Sequence, residues 1–283
     1  MRKITNDEIA FFDENGYVVC SNVLADDELE HCQEESERLI REVVANGFPA
    51  QSCLNGPEGT PYYLTYLHAQ ANSFSLRLLA HPFIGDALSR MVGADFVPCY
   101  ESLVFKLPEN GSSVPWHRDD QTADGPERIF NIDVYFDQSD AENGGVWVVP
   151  GSHLWDIDRA EDAITQGKSE FLFPDAIPAE VGAGDLLLHH VKLLHGSQAN
   201  TSDRVRRVVY FDNRAASWNN DTYHWFDADV MQRRCEMYQY ALYQRRILPY
   251  KSDDEAFNYP VPDGLPKWEE GTPVDLVSER TPW

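Results

Sequence analysis

Between Phe96 and Phe211 the chain is a succession of short segments rich in β-branched and aromatic residues, at 96–107, 115–119, 129–137, 146–150, 179–188 and 204–212, parted by Gly, Pro, Asn and Asp. Six or more such strands, following a helical opening, predict a mainly β fold with helical decoration: a double-stranded β-helix of the jelly-roll, cupin-like type. Such a barrel has a mouth where side chains from several strands converge. Asn143-Gly144-Gly145 is the clearest hairpin turn, because glycine takes φ > 0 without strain, and it reads as structural.

Helices are expected on either side. Thr5 with Glu8 three positions later is a capping box that opens a short helix ending near Asn15-Gly16. Asp26-Asp27 open a longer one to about Val44, and their charge complements the helix dipole. Residues 74–92 carry Leu76, Leu79, Ile84, Leu88 and Met91 near helical spacing, with Gly93 as a C′ glycine. Residues 48–70 read as a rim loop, and a last helix is expected near 228–246, followed by an extended wrap from Pro249. The whole predicts a single catalytic domain over 1–283: a mainly helical part at 1–95 packing on the barrel, a jelly-roll core at 96–213, and a helix and C-terminal wrap at 214–283.

His117 and Asp119, in Val-Pro-Trp-His-Arg-Asp-Asp at 114–120, are two residues apart. On an extended segment they share a face, since side chains alternate with period two. They then supply two corners of the His/His/carboxylate triad that holds non-haem Fe(II) and leaves positions open. Alone, His-x-Asp also marks solvated strand ends. A partner stands 78 residues downstream: His195, just past the apolar run 185–188 and followed by the turn residue Gly196. His153, His189 and His190 also lie near strand ends; one of the adjacent pair faces inward as a core histidine, and His190 is the fallback ligand. Eleven residues after His195, Arg206 falls on a strand whose arginines must divide between faces, Arg204 and Arg206 on one and Arg207 on the other. An inward arginine needs an anion, and a carboxylate matches its fork.

The set His117-x-Asp119, His195-x-Ser197 and Arg206 resembles the Fe(II)/2-oxoglutarate dioxygenases of the phytanoyl-CoA dioxygenase-like branch. The stretch Asn-Gly-Gly-Val-Trp-Val-Val-Pro-Gly-Ser-His at 143–153 and the opening at 5–19 fit the same branch, so that the likeness spans roughly residues 5–215. The resemblance implies that His117, Asp119 and His195 hold Fe(II), that Arg206 pairs with the distal carboxylate of 2-oxoglutarate, and that Ser197 adds a hydrogen bond to it. Arg118 departs from the pattern, because relatives often carry Gln there.

The reaction so implied is oxidative decarboxylation of 2-oxoglutarate to succinate and CO2 with O2, coupled to oxidation, by default hydroxylation, of a small organic molecule such as a natural-product intermediate. Asp119 argues against halogenation, which needs the carboxylate replaced by a small residue. Two other readings remain: a dioxygenase that binds its substrate directly to iron and has no use for Arg206, and a catalytically silent metal-binding jelly roll. Trp116, Trp147, Tyr62, Tyr63 and Trp225 are candidates to frame the substrate.

Composition sets the class. Hydrophobics at 42% and aromatics at 12% are ample for a packed core. The net charge of −24 argues against nucleic acid and anionic membrane surfaces as partners. Five scattered cysteines without Cys-x-x-Cys argue against a disulfide framework or thiolate zinc site. With no apolar leader and no run of membrane-spanning length, a cytoplasmic protein is expected. Oligomeric state is not legible.

Overall fold

The computed structural model describes residues 2–46, 53–55, 61–69, 74–109, 111–120, 128–167, 171, 173, 175–218, 227–251 and 256–276. In chain order the elements are α1 (Asn6–Asn15), β1 (Tyr17–Cys20), α2 (Asp26–Asn46), β2 (Cys53–Asn55), β3 (Pro61–Thr65), α3 (Phe74–Leu79), α4 (Pro82–Met91), β4 (Phe96–Lys106), β5 (Val114–His117), β6 (Phe130–Tyr135), β7 (Val146–Val148), α5 (Ile157–Gly167), β8 (Ile177–Pro178), β9 (Leu186–His190), β10 (His195–Ser197), β11 (Arg206–Ala215) and α6 (Ala228–Ile247). They build two sheets, a seven-stranded one in the order β1-β9-β6-β11-β4-β3-β2 and a four-stranded one in the order β5-β10-β7-β8. This is the mainly β, jelly-roll architecture that the strand texture predicts.

The chain packs as two compact units, Thr5–Thr65 with Ser102–Tyr210, and Met1–Ile4 with Tyr66–Glu101 and Phe211–Trp283. The first holds every residue of the candidate site. Its interior is an apolar cluster that includes Val146, Val148, Leu187, Leu193 and Val208. A second cluster lies around Trp116, Val149 and Leu194, with Ile164, Phe171 and Phe173 against it. In the other unit, α3 and α6 pack together, Arg245 Nη1 donates to the Arg77 carbonyl at 2.8 Å, and the buried Glu101 carboxylate takes Arg234 Nη1 at 2.9 Å. Among the described residues no helix is long and apolar enough to cross a membrane.

Several local rules read from the sequence operate as stated. Thr5 Oγ1 accepts from the Glu8 amide at 3.1 Å while Glu8 Oε2 accepts from the Thr5 amide at 2.8 Å, closing the capping box. Gly16 ends α1 at φ +79°, where a Cβ would stand 2.4 Å from His153 Nδ1.

Other expectations are corrected. The helix over 74–92 is two helices, because Pro82 cannot continue α3 and instead takes the first turn of α4, capped by His81 Nδ1 accepting from the Phe83 amide at 3.1 Å. The rim loop at 48–70 contains β2 and β3, which pair through Leu54↔Tyr63 and add to β4 through Leu64↔Leu103. The strand over 179–188 starts only at Leu186, after a turn at Gly184 with φ +83°, and runs on to His190. Helix α5 was not anticipated. Its apolar residues Ile157, Ala160, Ala163 and Ile164 do recur at helical spacing, with Ala160 buried and Ala163 and Ile164 against the Trp116 cluster, so the signal was present in the sequence and overlooked.

Candidate metal centre

The four-stranded sheet brings two histidines face to face. β10 lies between β5 and β7, with His195 opposite His117 on one side and opposite Val148 on the other. Paired residues project from the same face, and the His117 and His195 ring centroids are 4.2 Å apart. Asp119 joins them by another route than the strand alternation expected. β5 ends at His117; the amides of Asp119 and Asp120 then both donate to the Val191 carbonyl, at 2.9 and 3.1 Å, and that bend turns the Asp119 carboxylate back to the histidines.

Each ring's orientation is set from behind. His117 Nδ1 is 2.8 Å from the Pro115 carbonyl and His195 Nδ1 is 2.9 Å from the Leu193 carbonyl. A carbonyl only accepts, so both Nδ1 atoms carry hydrogen, and Nε2 is the nitrogen of each ring left to face a metal. Those Nε2 atoms lie 3.4 and 3.6 Å from Asp119 Oδ1, beyond an ordinary N–H···O hydrogen bond. One ligand atom from each of the three residues falls within 4.8 Å of the others. Two imidazole nitrogens and one carboxylate oxygen around a shared point fit a divalent first-row cation such as Fe(II). The side chains of His117 and Asp119 remain 38% and 29% exposed, so the point is reachable from solvent.

His195 and Asp119 hold the protonation states that a cation site needs, whereas in His117 burial is outweighed by Asp119, which raises it. Burial and then the charge of His117 push His195 down to about 3, leaving it unprotonated at neutral pH. Burial opposes ionisation of Asp119, but three surrounding imidazoles outweigh it and hold the carboxyl well below its usual range.

His189 is the member of the adjacent pair that faces inward, contrary to the choice of His190 as fallback. His190 points to the other side of β9, where its ring stacks on Phe12 at 6.3 Å and its Nδ1 accepts from the Lys192 amide. His189 Nε2 is 3.0 Å from Asp119 Oδ2, and its Nδ1 is 2.8 Å from Asp133 Oδ2. Asn131 Nδ2 donates to the same Asp119 Oδ2 at 2.8 Å. Burial works against its charge, but Asp133 and Asp119 raise His189 to about 10.

The arginines divide as their alternation requires. Arg207 is paired outright, with Asp137 at 2.8 and 2.7 Å and the Gln33 carbonyl at 2.8 Å. Arg206 is 1% exposed, donates from Nη1 to the Gly144 carbonyl at 2.7 Å, and has no hydrogen-bond partner for Nε among the described residues. Sequence reasoning missed Lys106. It is equally buried, donates from Nζ to Ser197 Oγ at 2.7 Å and to the Gln198 carbonyl, and is pushed down to about 6 by burial and by the charge of Arg206. A Cβ at Gly144 would stand 3.1 Å from Lys106 Nζ, so the Asn-Gly-Gly turn both makes room for the lysine and holds the arginine. A buried, half-unpaired guanidinium beside an amine that an anion would protonate fits a carboxylate.

Three further residues or pairs singled out in the sequence complete the account. Trp116 and Trp147 belong to the cluster with Phe171 and Phe173, on the face of the four-stranded sheet away from His117 and His195, so they do not line the centre. Trp225 lies outside the described residues. Arg118 points away from the site and donates from Nη2 to the carbonyls of Ser152 at 2.5 Å and Trp155 at 3.1 Å.

Comparison with known proteins agrees with this picture. Dioxygenase aneA of Aspergillus aculeatus is 32% identical over 155 residues, 51% of this chain and 50% of that protein. The matches to aneA, to a bovine phytanoyl-CoA dioxygenase domain-containing protein and to dioxygenase olcK span between 46% and 59% of those relatives' length. The crystal structure of AviO1 from Streptomyces viridochromogenes Tue57 superposes with a TM-score of 0.65 at 27% identity, covering 77% of this chain and 97% of that one. EctD from S. alaskensis, solved with 2-oxoglutarate and 5-hydroxyectoine, shares the fold with a TM-score of 0.64 at 22% identity, covering 76% and 77%. The sequence model for phytanoyl-CoA dioxygenase (PhyH) matches residues 12–208, which embrace every residue of the centre, and the chain belongs to that family.

Proposed function

We propose that this protein is an Fe(II)- and 2-oxoglutarate-dependent dioxygenase that oxidises, by hydroxylation, a small organic molecule of secondary metabolism. The observation that carries the proposal is one strand. β10 presents His195 to the metal corner and, two residues on, Ser197 to the pocket of Lys106 and Arg206. Two residues of strand span roughly 7 Å. That is about the length of a five-carbon dicarboxylate, so one such molecule reaches the metal with one end and that pocket with the other.

In this reading His117, Asp119 and His195 hold the iron through Nε2, Oδ1 and Nε2. Arg206 and Lys106 clasp the distal carboxylate, and Ser197 fixes the lysine and offers its hydroxyl. Fe(II) with 2-oxoglutarate supplies the activation of O2, with succinate and CO2 as co-products. The chain's own contribution is position and charge: an unprotonated His195, an ionised Asp119, and a buried pocket where Arg206, with Lys106 beside it, receives a carboxylate. The retained carboxylate at Asp119 speaks against halogenation, and the net charge of −24 against a polyanionic substrate.

The test is anaerobic titration of the metal-free chain with Fe(II) and then 2-oxoglutarate, following the weak visible charge-transfer band of the chelate. The band is expected in the unaltered chain, lost in His117→Ala and weakened in Arg206→Ala. Tight Fe(II) binding without a band would put a dioxygenase that binds substrate directly in its place. No binding of either would leave a silent scaffold.

A further inference from the structure

The two oxygens of Asp119 have different surroundings. Oδ1 faces Nε2 of His117 and His195 at 3.4 and 3.6 Å. Oδ2 is taken by two donors from a different sheet, Asn131 Nδ2 at 2.8 Å and His189 Nε2 at 3.0 Å. Asn131 and His189 are register partners on β6 and β9, which places both donors at one spot. Behind them Asp133, two residues along β6 and so on the same face, holds His189 Nδ1 at 2.8 Å. His189 and Asp133 are 3% and 0% exposed, so solvent cannot substitute for either.

The number of open positions makes this arrangement matter. A six-coordinate ion held by two histidines and one carboxylate oxygen keeps three positions, enough for a two-point chelator and O2. A carboxylate that chelates with both oxygens removes one of them. The His189 ring is also only 4.8 Å from that of His195, close enough for an unrestrained imidazole to compete for the same ion.

We propose that His189, oriented by Asp133, is a positioning residue that holds Asp119 by Oδ2, so that the carboxylate offers the metal one oxygen only. The inference rests on the metal assignment above and concerns how that ligand binds. Outer partners of metal ligands typically change affinity by roughly 10–100-fold when removed.

Co(II) titration of the full chain, read by visible absorption without cosubstrate or turnover, tests both levels separately. The unaltered chain is expected to bind Co(II) and His117→Ala to lose it; no binding by the unaltered chain overturns the metal assignment and this inference with it. Given binding, His189→Met, matched in size but without a donor, is expected to weaken Co(II) by 10–100-fold and to alter its absorption envelope. His189→Gln, whose amide can donate to Oδ2, is expected to return to within about threefold with the original envelope. Unaltered affinity and spectrum in His189→Met would overturn the inference. Should that variant not fold, the infrared difference spectrum of the unaltered chain with and without metal decides. Widely split carboxylate stretches support one-oxygen binding, and narrowly split ones overturn it.

Discussion

The side-chain nitrogen of Lys106 lies 2.7 Å from the hydroxyl oxygen of Ser197, in a buried pocket shared with Arg206. Burial and then the charge of Arg206 push Lys106 down to about 6, so at pH 7.5 the free protein holds it mostly as the neutral amine. A carboxylate brought against it favours the ammonium form and raises that value. Binding of 2-oxoglutarate is therefore expected to take up close to one proton. Affinity should be greatest below pH 6 and fall, by up to about tenfold per pH unit, as pH rises above it. Calorimetry in two buffers of different ionisation heat measures the uptake directly; identical apparent enthalpies would refute it, and Lys106→Met should abolish it.

Arg206 and Arg207 are neighbours with opposite tasks. Arg206→Lys keeps the charge but loses the two-pronged grip, and is expected to raise KM for 2-oxoglutarate by roughly 10–100-fold while leaving Co(II) affinity within about threefold. Arg207→Gln breaks the pair with Asp137 and should lower stability by about 3 kcal/mol with little change in that KM. Equal KM effects from both would show that the strand faces have been misassigned.

Arg118 is fastened to the carbonyls of Ser152 and Trp155. Replacing it by Met strands both acceptors, and a loss of about 2 kcal/mol is expected. For a chain of this size that is a fall in Tm of roughly 4–8 °C, readable by calorimetry. A Tm within a degree of the original would mean that those contacts contribute nothing.

Gly16 cannot be exchanged for Ala without two penalties, a positive φ and a collision with the His153 ring. A destabilisation of about 2–4 kcal/mol is expected in urea unfolding, the larger part from the clash.

What could be read from the sequence, and what could not, follows the range of the interactions. His117, His195 and Arg206 were legible because each sits in a short motif on a strand that alternation orients. The capping box at Thr5 and the stop at Gly16 are wholly local, and they too were legible. Asp119 was picked out for the right neighbourhood, but the bend onto Val191 that delivers it depends on a contact 72 residues away. His189 was noticed as one of an adjacent pair but not chosen, and Lys106, Asn131 and Asp133 gave no signal, since a lysine or an aspartate in an apolar strand acquires meaning only from the register of its neighbours. Sequence spacing says nothing of that register; β6 and β9 are joined by no hairpin that would set it. The break at Pro82 is different: proline announced it, and helical spacing on both sides concealed it.

Ser152 touches both halves of the metal corner without belonging to either. Its hydroxyl oxygen accepts from the amide of Leu194, next to His195, and its carbonyl accepts from Arg118, between His117 and Asp119. The ligands are therefore tied by a third segment and not by the length of chain that separates them. Loops between 120 and 150, or between 155 and 190, can lengthen, shorten or change their sequence while the three ligands keep their spacing. A chain tied in this way can vary those loops and still bring His117, Asp119 and His195 to one point.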